Sequence, residues 1–187
     1  MIFEALVASI LIGFIRKGSL RALSRVPIRY AYLFVFPFVM LGLIYATAGT
    51  LGQHGGEFQR LATIAQYALL LAAVGANLQL REMWLFGVGT VLNFAAVLAN
   101  SGKMPVSLTA ARLAGLTEML DPGRAYSFVR HIPMTAQTRL NPLADLIPIP
   151  GYGAILREVV SVGDVLMSLA VFILIQRYMC SSETRTP

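Results

Sequence analysis

Charged residues are scarce in this chain. Of its 187 residues, Asp, Glu, Lys and Arg make up 13%, hydrophobic residues make up 57%, and the mean hydropathy is +0.70. Soluble domains carry about 25% charged residues. The shortage excludes an ordinary soluble globule, and the apolar excess excludes a disordered chain. A polytopic membrane protein remains. Cysteine is nearly absent as well. Cys180 stands alone, so no internal disulfide forms. The only histidines are His54 and His131, far apart and without a third ligand beside either. Surface or capping roles are expected for them, with no metal site and no cofactor. Residues 52–56 read GQHGG with no lysine after them, which is a turn and not a phosphate loop. No basic-aromatic nucleic-acid module accompanies the net charge of +6. Nucleic acid is therefore excluded as a partner, and membrane lipid takes its place: basic residues that flank spans hold them against anionic headgroups.

A bilayer core needs about 20 mostly apolar residues per helix. The hydrophobic runs place spans at 2–15, 31–48, 61–78, 83–99 and 159–175. The first is short, roughly 21 Å at ~1.5 Å per residue, and must snorkel or lean on neighbours. Positive charge follows its apolar core instead of preceding it, so it reads as an uncleaved helix and not a secretory signal. Pro37 sits inside the second span, where proline usually kinks a helix. Spans three and four are joined only by Gln79-Leu80-Arg81-Glu82, a tight antiparallel hairpin. Ala65, Ala68, Ala72 and Ala76 form a small-residue stripe on span three, expected to pack inside the bundle or, alternatively, in a dimer interface. Trp84 and Tyr30 sit at span ends, as interfacial anchors do.

Basic residues set the orientation. Arg16, Lys17, Arg21, Arg25 and Arg29 crowd into one short loop, whereas the basic residues of the other side are spread along a long segment. Short loops carry the orientation signal. The amino end is expected outside and the carboxyl end in the cytoplasm of a bacterial inner membrane. Residues 16–29 read RKGSLRALSRVPIR, in which Arg21, Arg25 and Arg29 recur every four residues with Leu20 and Leu23 between them. That spacing suits a short interfacial helix, arginines on headgroups and leucines in the acyl boundary, ended by Pro27.

The segment 101–158 holds six of the nine prolines yet stays rich in Leu, Ile and Met. A loop of this length is usually functional or disordered, and its apolar content argues for order. Residues 106–120 have helical periodicity through Leu108, Ala111, Leu113, Leu116 and Met119 or Leu120. Ser107 is the expected cap, and Asp121-Pro122-Gly123 the expected stop. Residues 140–152, LNPLADLIPIPGY, contain too many prolines for a helix. They read as an extended or re-entrant lid folded over the bundle, with Asp145 among apolar neighbours. Asp164 opens the fifth span and is the only acidic residue inside a predicted span after the first. Such a carboxylate faces the bundle and finds a partner. Candidates are Asn93, Asn100, Ser161, Lys103, Arg130 and Arg139, with Gln66 and Asn77 as further polar groups.

Several strings carry a resemblance. Asn100-Ser101-Gly102-Lys103-Met104-Pro105-Val106 follows span four, Thr138-Arg139-Leu140 precedes Leu143-Ala144-Asp145-Leu146-Ile147-Pro148, and Ser161-Val162-Gly163-Asp164-Val165-Leu166 opens the last span. Together they resemble a family of small bacterial membrane proteins known only as a domain of unknown function. The resemblance implies a five-helix inner-membrane protein and carries no activity. Val162-Gly163-Asp164-Val165-Leu166 is also similar in placement to the last motif of the lipoprotein signal peptidases. Those enzymes use two aspartates at the outer face. Here Gly163 and Ser161 replace the alanine and asparagine of that motif, and Asn141-Pro142-Leu143-Ala144-Asp145-Leu146 departs from the other motif by one residue and a missing arginine.

The expected fold is an all-α, single-domain bundle (residues 1–187) of five transmembrane helices, with an ordered proline-rich extracytoplasmic segment between spans four and five. The first function expected is binding of a lipid, a small ligand or a partner subunit through that segment. Asn93, Asn100, Lys103, Met104, Pro105, Arg139, Ser161 and Gly163 would form its ligand or structural network, and a homo-oligomer is one form the partner takes. An alternative is an intramembrane aspartyl-type hydrolase using Asp145 and Asp164, since two carboxylates sharing a site split into acid and base. Another is a small proton-coupled transporter working through Asp164.

Overall fold

The structure, a computed structural model, describes residues 1–47, 55–116, 130–151 and 157–180. Long apolar runs fold as five helices: α1 (Ile2–Ile15), α2 (Tyr32–Thr47), α3 (Gly55–Gly75), α4 (Arg81–Ala99) and, after a short α5 (Leu108–Leu113), α6 (Val162–Met179). Three of them, α3, α4 and α6, are long and apolar enough to cross a membrane. At 14 and 16 residues, α1 and α2 are shorter. Pro37 lies buried within α2.

The expectation of an all-α chain is corrected in the 101–158 segment. Pro105, Pro133 and Pro148 sit in short strands, whose backbone groups pair with one another. Strand β1 (Met104–Val106) runs parallel to β2 (His131–Pro133), and β3 (Ile147–Ile149) pairs antiparallel with β4 (Glu158–Val160). The expected surface helix is cut to α5. Ser107 does cap it, its Oγ accepting from Ala110 N at 3.2 Å. It ends at Leu113, before Gly115 turns to a positive φ of 77°. Met119, Leu120, Asp121-Pro122-Gly123, Tyr152 and His54 lie outside the described residues.

The centre of the bundle is the crossing of α4 on α6. A Cβ on Gly89 would lie 2.4 Å from the carbonyl oxygen of Gly163, and a Cβ on Gly163 would lie 2.1 Å from Asn93 Oδ1. Only glycine at both positions lets the backbones approach this closely. Below the crossing, Val74, Phe86, Met167 and Ala170 form a buried apolar cluster. Helix α1 runs parallel to α6. Its lower end packs Gly13 on Met179, and at the upper end the Met1 amine pairs with Glu158. (The end holding the start of α6 is called upper.) Ala65, Ala68 and Ala72 are exposed, which corrects their expected internal packing; α3 buries Ala62, Thr63, Ala73 and Val74 instead.

Two asparagines tie loops to helix ends by the same device. At the lower end Asn77 accepts from Arg29 N at 2.7 Å and donates to Arg29 O at 2.8 Å. At the upper end Asn100 accepts from Arg139 N at 2.9 Å and donates to Arg139 O at 2.8 Å. Each amide mimics a peptide partner and also donates to its own helix, to Ala73 O and Ala96 O. The basic loop departs from its expected form. Leu20–Arg25 is a 3₁₀ helix, which turns once per ~3 residues, so a four-residue spacing does not align Arg21 with Arg25. Arg29 falls outside it. All five basic residues of the loop are exposed.

Candidate active site

The start of α6 fixes one carboxylate. Ser161 and Asp164 form a capping box, in which Asp164 N donates to Ser161 Oγ at 3.0 Å and Ser161 N donates to Asp164 Oδ2 at 3.0 Å. Asn93, brought close by the glycine crossing, donates from Nδ2 to Asp164 Oδ1 at 2.8 Å. Ser161 Oγ is within reach of Asp164 Oδ2 at 2.8 Å and of Asn93 Oδ1 at 2.7 Å, and its single proton serves one at a time. Both oxygens of Asp164 thus face donors. Of the partners expected for it, Asn93 and Ser161 are found. Asn100 is engaged with the Arg139 backbone and Asn77 lies at the other end. Among the described residues, Lys103, Arg130 and Arg139 send it no hydrogen bond or ion pair, and Gln66 Oε1 is buried without a hydrogen bond.

The 101–158 segment delivers the second carboxylate. Asp145 N donates to Pro105 O at 3.0 Å and Ser107 N donates to Asp145 O at 2.9 Å, so its backbone is laced to β1. Neighbouring Met104 and Pro105 are buried. The carboxyl is 6% exposed, and its nearest polar partner is His131 Nε2 at 3.5 Å. Burial first, and then the charge of Asp164, push the Asp145 carboxyl up to about 8 against the opposing pull of Arg130. It therefore carries a proton at neutral pH. His131 keeps 30% of its side chain open, yet the surrounding protein, together with Arg130, takes its imidazole down to about 4. It is neutral at the same pH.

Asp145 and Asp164 line one cavity of about 140 Å³ at the upper end, with Thr63, Tyr67, Asn93 and Met104. Val97, Gly102, Arg130 and His131 complete it. Tyr67 is stacked on Phe94, with ring centroids 5.3 Å apart, which sets its position on α3. Sequence reasoning missed His131, Tyr67 and Thr63 as site residues, and held Arg130 only as a counter-ion. The sequence offered no distinguishing signal for them, since Arg130-His131 is one of several adjacent ionisable pairs, with Arg16-Lys17, Arg81-Glu82 and Arg157-Glu158. Asn100, Ser161 and Gly163 act around the cavity as clamp, cap and spacer. Neither Lys103 nor Arg139 lines it. Among the described residues, no group of three His, Cys, Asp or Glu side chains is placed to hold a metal.

Fold and cavity together define the class: an apolar helix bundle with three helices fit to cross a membrane, bearing two carboxylates in a cavity at one end. The chain belongs to the family of unknown function DUF5317, whose sequence profile matches residues 25–176. That stretch includes both aspartates and every described residue that lines the cavity. No curated protein and no solved structure matches the chain.

Proposed function

We propose that this protein is a membrane-embedded aspartyl-type hydrolase working at the upper end of its bundle. The observation that carries the reading is that Asp145 and Asp164 meet in one cavity in unlike environments. Asp164 faces donors on both oxygens, and Asp145 is buried with its proton. Paired groups whose environments differ in this way divide into base and acid. Asp164 takes a proton from water as the water oxygen bonds to a substrate carbonyl carbon. When the intermediate collapses, the bond from that carbon to the leaving oxygen or nitrogen breaks, and the leaving atom takes the Asp145 proton. Transfer of the proton from Asp164 to Asp145 restores the site, so one water is consumed and one acid and one alcohol or amine are released. Neutral His131, 3.5 Å from Asp145, orients that carboxyl.

Two other readings have less support. A proton transporter needs a continuous polar path to the lower side; buried Thr90 and Ser168 lie one turn below Asn93 and Asp164, but buried Phe86, Ala170 and Leu174 separate them from the next buried polar groups, Glu82 and Gln176. A pure binding protein has no need of two carboxylates held in unlike environments, and the cavity is lined by ionisable side chains. We further propose that all five long helices span a bacterial inner membrane, with the upper end outside and the exposed basic loop on cytoplasmic headgroups. The test of the hydrolase reading uses purified protein in detergent with p-nitrophenyl esters of graded chain length and quenched-fluorophore peptides. Turnover is expected from the native protein and not from Asp164→Asn or Asp145→Asn. Equal turnover in all three proteins would overturn it.

A further inference from the structure

Arg130 bears on the two carboxylates only through its charge, which opposes the rise of the Asp145 carboxyl. It lines the cavity, yet its guanidinium makes no hydrogen bond or ion pair among the described residues. An unpaired guanidinium in such a place is a fork for phosphate or carboxylate. A second feature lies further down the same two helices. Between α3 and α4 runs an apolar groove of about 390 Å³, lined by Leu71, Val74, Leu78, Trp84, Val88 and Val91 among others. Glycine shapes it. Nothing lies within 4 Å of a Cβ built on Gly75, while one on Gly87 would come to 2.9 Å of Val74 Cγ1. Cavity and groove share one stripe of α3: Thr63 and Tyr67 line the first, Leu71, Val74 and Leu78 the second. Tyr67 and Leu71 are one helical turn apart, roughly 6 Å.

We infer that the substrate is an anionic phospholipid, its phosphate on Arg130, its acyl chain in the α3–α4 groove and its acyl ester between them at the aspartates. This rests on the hydrolase reading. Polarity runs in the order such a lipid demands, a cation and the two carboxylates together in the cavity and apolar side chains below. A lipid entering sideways from the bilayer keeps its chain in apolar surroundings throughout, so the chain crosses no water. Hydrolysis breaks the bond between the acyl carbon and the glycerol oxygen, consumes one water and releases a fatty acid and a lysophospholipid.

The test reads binding as well as turnover. Trp84 is the chain's single tryptophan and lines the groove. In nanodiscs of phosphatidylcholine, a few mole per cent of acyl-brominated phosphatidylglycerol is expected to quench Trp84 about fivefold more effectively than brominated phosphatidylcholine, the preference one basic group gives an anionic headgroup. Arg130→Gln is expected to abolish the preference, and Gly75→Leu to abolish it by filling the groove. Soluble glycerol phosphate is expected not to compete. Equal quenching by the two lipids in the native protein would overturn the inference. So would a preference that survives Arg130→Gln, since it would come from the basic loop. Competition by glycerol phosphate would assign Arg130 to a soluble phosphate instead. Loss of lipid preference with turnover retained on simple esters removes the lipid and leaves the hydrolase; the converse removes the hydrolase alone.

Discussion

At the scale of single residues, the two aspartates make opposite predictions. Asp164→Asn keeps the shape of the side chain and one oxygen, for either Asn93 Nδ2 or Ser161 N, and leaves the other donor unmatched at a cost of about 1–3 kcal/mol. Folding is expected to survive that loss while turnover falls by ~10²–10⁴, the usual worth of a general base. Expression and thermal unfolding in detergent check the first half. A loss of expression alone would make Asp164 structural. Asp145 bears on stability. Its folded-state pKa is raised, so its stabilising contribution is complete below the ordinary carboxylate range and is lost as pH rises through about 8. The native melting temperature is expected to fall between pH 6 and pH 9, and Asp145→Asn to flatten that fall. His131 has the opposite sign: its contribution is present above about 6.5 and is lost as pH falls through about 4. The carboxylates themselves were legible in the sequence, because acids are rare in this chain and each stood among apolar neighbours. His131 was not, because nothing local in Arg130-His131-Ile132-Pro133 shows that β2 pairs with β1 beside Asp145.

At the scale of elements, the α4–α6 crossing decides whether the site exists. Gly163→Ala places a methyl group 2.1 Å from Asn93 Oδ1 and must part the helices. The expected cost is about 1–3 kcal/mol, as for other overpacked contacts, with turnover lost as well. Gly42→Ala is the control, since nothing lies within 4 Å of the added carbon. Asn100→Ala leaves Arg139 N and O without their partner and is expected to cost about 1–3 kcal/mol. Faster amide exchange over residues 139–147 is expected with it. Apolar periodicity placed α1 at Ile2–Ile15, since a run ended by Arg16-Lys17 has sharp bounds. It extended α6 too far upstream, because Val159 and Val160 are as apolar as a helix start but belong to β4. The cap at Ser161 was the truer signal. Spacing misled in the basic loop, where Pro27 and a 3₁₀ turn replaced an α-helix.

At the scale of the whole molecule, the proposed function depends on the 101–158 segment folding back so that Asp145 reaches the start of α6. Such long-range pairing leaves little trace in local sequence, which is why β1–β2 and β3–β4 were not foreseen. Orientation is testable on the intact chain. With Gln53→Cys added, impermeant thiol reagents are expected to label position 53 from outside and Cys180 only after permeabilisation; labelling of both from one side would contradict the five-span arrangement. The meeting of the two aspartates is tested most directly by infrared titration of the protonated carboxyl band in detergent. The native protein is expected to show a carboxylic acid that deprotonates near pH 8, absent in Asp145→Asn and shifted to lower pH in Asp164→Asn, where the neighbouring charge is gone. A band that titrates unchanged in Asp164→Asn would mean that the two carboxyls do not share a site.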